Sequence, residues 1–133
     1  MRYKFRAWDK ESKKMYEVEE ISWNPNGTIS GLLKGGNGRV FLGQRVHVDG
    51  KYYDDYELMQ FTGLTDKMGN DIYESDIIRK NTGLICKVGF LSQYGMFAMI
   101  DRMTVPHGFA SPVDGEVIGN IHDNPNLLES EGK

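Results

Sequence analysis

The stretch DIIRKNTGLICKVGFLSQYGMFAMID, residues 76–101, decides the fold. It reads as three short strands, DIIR (76–79), LICKVGF (84–90) and MFAMID (96–101), separated by turns at NTG (81–83) and QYG (93–95). Glycine and asparagine accept the positive φ that such turns require. Strands of about five residues joined this tightly are the material of a small open barrel of the SH3 type. In LICKVGF, Leu84, Cys86, Val88 and Phe90 share one face, so Cys86 falls in line with apolar neighbours and reads as an inert core thiol.

Outward toward the C-terminus, RMTVPHGFASPVD (102–114) reads as a long loop, and EVIGNI (116–121) as the last strand. In the tail, Asn124 followed by Pro125 predicts a short closing helical turn that tucks in Leu127 and Leu128. Outward toward the N-terminus, the segment 62–80 predicts a turn over Asp66–Gly69, a short helical turn over Asp71–Ser75 and a strand from Asp76. Its carboxylates lack the alternation of a calcium loop and read as solvated turn caps. YELMQF (56–61) predicts a strand that DG (49–50) turns into, and the run 24–50 is broken by NPNG and GGNG between short β-like pieces. GGNG lacks the lysine and hydroxyl of a nucleotide loop.

At the start, RYKFRAWD (2–9) alternates, with Arg2, Lys4, Arg6 and Trp8 on one side and Tyr3, Phe5 and Ala7 on the other. The polar DKESKK (9–14) then predicts a hairpin into MYEVEEISW (15–23), whose acids would face the basic strand. The resulting architecture is mostly β: an N-terminal β-rich lobe over 1–65 and a C-terminal SH3-like barrel over 66–133.

Composition agrees. The chain of 133 residues is 39% hydrophobic and 26% charged, a balance that buries a core without staples. Its three alanines stand beside 16 glycines and 13 Phe plus Tyr residues, which favours strands and turns over helices. The lone Cys86 forms no internal pair and no CxxC, which fits a reducing compartment and removes the commonest zinc signature. No apolar run approaches a membrane span, and the start has no signal-peptide core, so the expected location is cytoplasmic, with no membrane partner. The net charge of −3 is uneven: residues 1–65 hold 10 Lys/Arg and 9 Asp/Glu, residues 66–133 hold 6 and 10. An acidic second half is a poor surface for wrapping nucleic acid.

Three blocks, KFRAWD (4–9), LMQFTGLTDKMGNDIYESDII (58–78) and EVIGNIHDNPNLL (116–128), together resemble the YopX-like family of small proteins encoded by bacteriophages and prophages. The order and spacing match across nearly the whole chain. One departure is Ser75, where the family pattern reads YEGDIV; a glycine there implies an unusual backbone angle. The resemblance implies a mostly β chain with an SH3-type C-terminal part that assembles with copies of itself. It implies no reaction, cofactor or site residue.

An enzyme needs a nucleophile, an acid/base pair or a metal set, and His47, His107 and His122 show no ligand-type spacing, so no enzyme, cofactor or metal site is expected. The first expectation is a protein-interaction or self-assembling module, partnered by itself and by a host or phage protein. Tyr52, Tyr53 and Tyr56, with Tyr94, Phe97 and Phe109, supply aromatic contact area. Met103, His107 and Phe109 in the 102–114 loop are the candidate contact residues. The alternative is nucleic-acid binding through Arg2, Lys4, Arg6 and Trp8, basic residues interleaved with an aromatic that stacks on bases.

Overall fold

Twelve strands and one turn of 3-10 helix make up the described residues, which in the computed structural model are 4–35, 38–43, 51–52, 55–110 and 113–128, without the side chains of 38–43 and 51–52. The chain divides into two units between Met59 and Gln60, inside strand β6, where the sequence expectation placed the boundary at 65/66.

In the first unit, β1 (Phe5–Asp9), β2 (Lys14–Trp23), β3 (Ile29–Lys34), β4 (Gly38–Gly43), β5 (Lys51–Tyr52) and the first half of β6 (Tyr56–Thr65) lie in the order β5-β4-β3-β2-β1-β6. The expected hairpin forms: β1 and β2 run antiparallel with Arg6 opposite Glu17 and Asp9 opposite Lys14, so the basic and acidic strands face each other. Lys13 takes φ 57 in the turn, and the Asp9 Oδ1 accepts the amide of Glu11 at 2.9 Å. The core here is Ala7, Leu32 and Tyr56, with Val18, Ile21, Ile29 and Leu58 packed against it. The middle of the GGNG turn, residues 36–37, and the stretch 44–50 with the expected DG turn lie outside the described residues.

In the second unit, the rest of β6 pairs with β7 (Asp71–Tyr73), and a five-stranded antiparallel sheet follows. It runs β11-β10-β9-β8-β12, from β8 (Asp76–Lys80), β9 (Ile85–Leu91), β10 (Met96–Asp101), β11 (Pro106–His107) and β12 (Gly115–Asn120). The meander read from residues 76–101 is present, and placing the last strand beside the first fits a small SH3-type barrel. Alternation on these strands turns Ile78, Cys86, Val88 and Met99 inward, where they join Ile72 and Val113 in one buried cluster.

The helical turn expected over Asp71–Ser75 is instead a strand and a tight turn. Asp71 pairs with Thr65, and the buried Asp76 carboxylate accepts the Tyr73 amide at 2.8 Å, which holds the chain extended into the turn. Ser75 takes φ 73, the left-handed angle that the family's glycine implies. Its amide donates to Val88 and its carbonyl accepts from Ile121, so the sheet fixes this angle from both sides. The closing 3-10 turn spans Pro125–Leu127 as expected. The Asn124 side chain does not cap it but accepts the Asn120 amide at 3.3 Å.

Candidate functional site

The segment after β10 is less of a loop than its sequence suggests. Asp101 organises it: its Oδ1 accepts the amides of Met103 at 2.9 Å and Val105 at 3.0 Å, and Thr104 takes φ 63 between them. The chain then pairs back on β10, with His107 opposite Met99. His107 Nε2 lies 2.9 Å from Asp101 Oδ2. That hydrogen bond, followed by the Val105 amide, holds the Asp101 carboxyl below its ordinary range.

The three candidate contact residues therefore have three different surroundings. Met103 projects from the turn at 75% exposure, His107 is half-buried against Asp101, and Phe109 packs on the core cluster of the second unit. Exposed Val105 accompanies Met103 at this end of β10.

A larger apolar surface lies at the other end of β10. Phe90 and Phe97 face each other across β9 and β10 with ring centroids 5.1 Å apart, edge to face. They continue the alternation that buries Val88 and Met99, but one step past the core, and Phe90 is 49% exposed. Exposed Tyr94 lies in the turn of the same hairpin, and exposed Met96, one residue before Phe97 on β10, alternates to the opposite face. Residues 88–100 carry no charged side chain, and that charge-free run with its aromatics and methionines was the available signal for this surface.

The N-terminal strand presents no basic and aromatic platform as drawn from alternation. Trp8 is only 8% exposed, and Ala7 and Asp9 beside it are buried. Ala7, Trp8 and Asp9 alternate between the two faces of the sheet and all three are buried, so neither face of β1 is open to solvent at this end. Lys4 and Arg6 are half-buried, and Arg2 lies outside the described residues. Lys4 lines a groove of about 600 Å³ together with Glu19, Glu20 and Trp23, acids that oppose a polyanion.

Of the tyrosines expected at the surface, Tyr56 is buried. Lys34 donates to its hydroxyl at 3.4 Å and sits 4.4 Å above the Tyr16 ring. Desolvation, with the charge of Asp9 next, pushes the Tyr56 hydroxyl up to about 12. Tyr52 and Tyr53 have no described side chain, and His47 lies outside the described residues.

Two carboxylates expected in solvent, Asp66 and Asp76, are buried. Asp66 accepts the amides of Met68, Asn70 and Val117 at 2.8–2.9 Å and the Asn70 side-chain amide at 3.3 Å. Burial works to raise its pKa, but these donors outweigh it and the carboxyl stays below its ordinary range. Burial pushes the Cys86 thiol up, Asp101 adds to that and Lys80 works against it. Among the described residues no three ligating side chains converge as a metal set, and no helix is long and apolar enough to cross a membrane.

This geometry defines a two-unit, mostly β protein with exposed apolar side chains at both ends of β10. The YopX protein family model matches residues 4–129, and the chain belongs to that family. Among solved structures it is similar to protein EF1440 from Enterococcus faecalis, at 26% identity over 95% of this chain and 97% of that one, with a TM-score of 0.67. It also shares its fold with protein yopX from Bacillus subtilis, at 22% identity over 96% of this chain and 99% of that one, with a TM-score of 0.60. The comparison with curated proteins returned no match.

Proposed function

We propose that this chain is a phage- or prophage-encoded, non-enzymatic module that assembles with copies of itself through the β9–β10 hairpin. The observation that carries the reading is the Phe90 and Phe97 pair, which extends the core face toward solvent in a hairpin whose turn holds exposed Tyr94. Aromatic and methionine side chains with few charges are the composition of an interface centre. Because residues 88–100 are uncharged, the same hairpin on a second copy meets it without opposing like charges.

Light scattering across a concentration series tests this. A discrete oligomer that falls to monomer in the double variant Phe90→Ser, Tyr94→Ser supports the reading. A monomer at every concentration overturns it, as does an oligomer that the double variant leaves intact. The nucleic-acid reading rests now on Lys4 and Arg6 without an exposed Trp8; tight retention on single-stranded DNA with a steep salt dependence is the result that favours it.

A further inference from the structure

β2 outruns its partner. β1 pairs with it as far as Phe5 opposite Val18, whereas β2 continues to Trp23 against β3 on its other side. The inward face of β2 carries on past the end of β1, and a groove of about 600 Å³ opens there. Its floor is Phe5, Val18 and Ile21: Val18 and Ile21 pack on the core of Ala7, Leu32 and Tyr56, and Phe5 shares the face of Ala7. Trp23 also lines the groove and is 54% exposed. An exposed indole beside an apolar floor has the form of an interface anchor.

A β-bulge sets the charge along this floor. The register between β2 and β3 slips between Val18 and Glu20, and Glu19 and Glu20 at the slip are both solvent-exposed and both line the groove. Among the described residues the lining holds one cation against them, the half-buried Lys4 just before β1. The net lining charge is therefore negative. Exposed carboxylates beside an indole suit an arginine or lysine, which lies over the ring while the acids neutralise it. An apolar neighbour in the same segment covers the floor. A polyanion meets like charge here, and a wholly apolar segment would desolvate the two acids without pairing them.

We propose that this groove docks an extended basic segment of a partner protein, with an arginine or lysine against Trp23, Glu19 and Glu20 and an adjacent apolar residue on Phe5 and Ile21. The surface shares no residue with the β9–β10 hairpin, so either reading can fail without the other.

The test is an NMR titration of the full chain with the capped tripeptide arginyl-leucyl-arginine, its citrulline counterpart serving as the uncharged isosteric control. The expected result is saturable shifts at Val18, Ile21 and the Trp23 indole N–H, weakened at high salt and absent with the citrulline peptide. The double variant Glu19→Gln, Glu20→Gln weakens binding roughly fivefold, the scale of exposed ion pairs. Trp23→Ala weakens it by a similar factor with every charge in place, and Trp23→Phe, which keeps a ring beside the floor, recovers part of the loss. Equally tight binding of the citrulline peptide overturns the proposal, as do shifts that fail to saturate, shifts confined to other parts of the chain, or undiminished binding by the double variant or by Trp23→Ala. Saturable binding of a single-stranded oligonucleotide at the same residues overturns it as well, because the groove then serves an anion.

Discussion

The Asp66 Oδ2 accepts the backbone amide of Val117 at 2.8 Å, across 51 residues of sequence. With Lys67 donating to Gly115 next to it, the turn after β6 covers the outer edge of β12, a strand that pairs with β8 on its other side. An edge strand left bare is a template for pairing with other chains, and a buried carboxylate aimed at its amide removes that template.

Asp66→Asn is therefore expected to destabilise the second unit by about 2–3 kcal/mol, the scale of hydrogen bonds to a charged group, with urea unfolding as the measurement. The pH dependence follows from the depressed folded pKa. The Asp66 contribution is fully present above the ordinary carboxylate range and is lost as pH falls through the lower folded value. The acid limb of stability should accordingly be shallower in Asp66→Asn than in the native sequence.

Ser75→Gly is expected to stabilise the chain. Serine at φ 73 bears a steric cost of about 1–2 kcal/mol that glycine lacks, partly offset by glycine's greater unfolded freedom, for a net gain of roughly 0.5–1 kcal/mol. Ser75→Val should move the urea midpoint the opposite way, because a β-branched residue resists this angle most.

Gly115→Ala is expected to cost stability near the upper end of the roughly 1–3 kcal/mol typical of overpacking. An added methyl would lie 2.7 Å from the Arg79 carbonyl oxygen and 2.9 Å from the Ile78 Cγ2, and the first of these belongs to backbone that cannot rotate away. Calorimetry on this variant beside Gly69→Ala separates crowding from angle, since Gly69 has φ 87 and open space around it.

Cys86 is expected to resist a thiol reagent at pH 8 in the native chain and to react quickly in urea. It is fully buried and its thiol is pushed up by that burial. Rapid labelling without denaturant would contradict the placement of Cys86 in the core.

Much of the second unit was legible because its signal is local. Alternation over residues 84–90 and 96–101 with turn residues between them is enough to set strands and faces. Trp8 was read on an open face because alternation separates two faces but does not tell which of them the rest of the fold covers. The same limit hid Tyr56. Asp66 read as a surface turn cap since its decisive partner, Val117, is remote in sequence, and Phe109 read as a loop contact because the core cluster it joins is assembled from four other strands. The candidate surface at Phe90 was half legible: its strand and face were, but where the core stops along that face is a matter of three dimensions.

The position of β12 beside β8 has a consequence for synthesis. The strand that completes the five-stranded sheet leaves the ribosome after the three strands that separate it from β8 in sequence, so β8 waits with one flank uncovered while they emerge. Any nascent chain stalled before Gly115 exposes that flank to other chains, and chaperone demand during translation should concentrate on that interval.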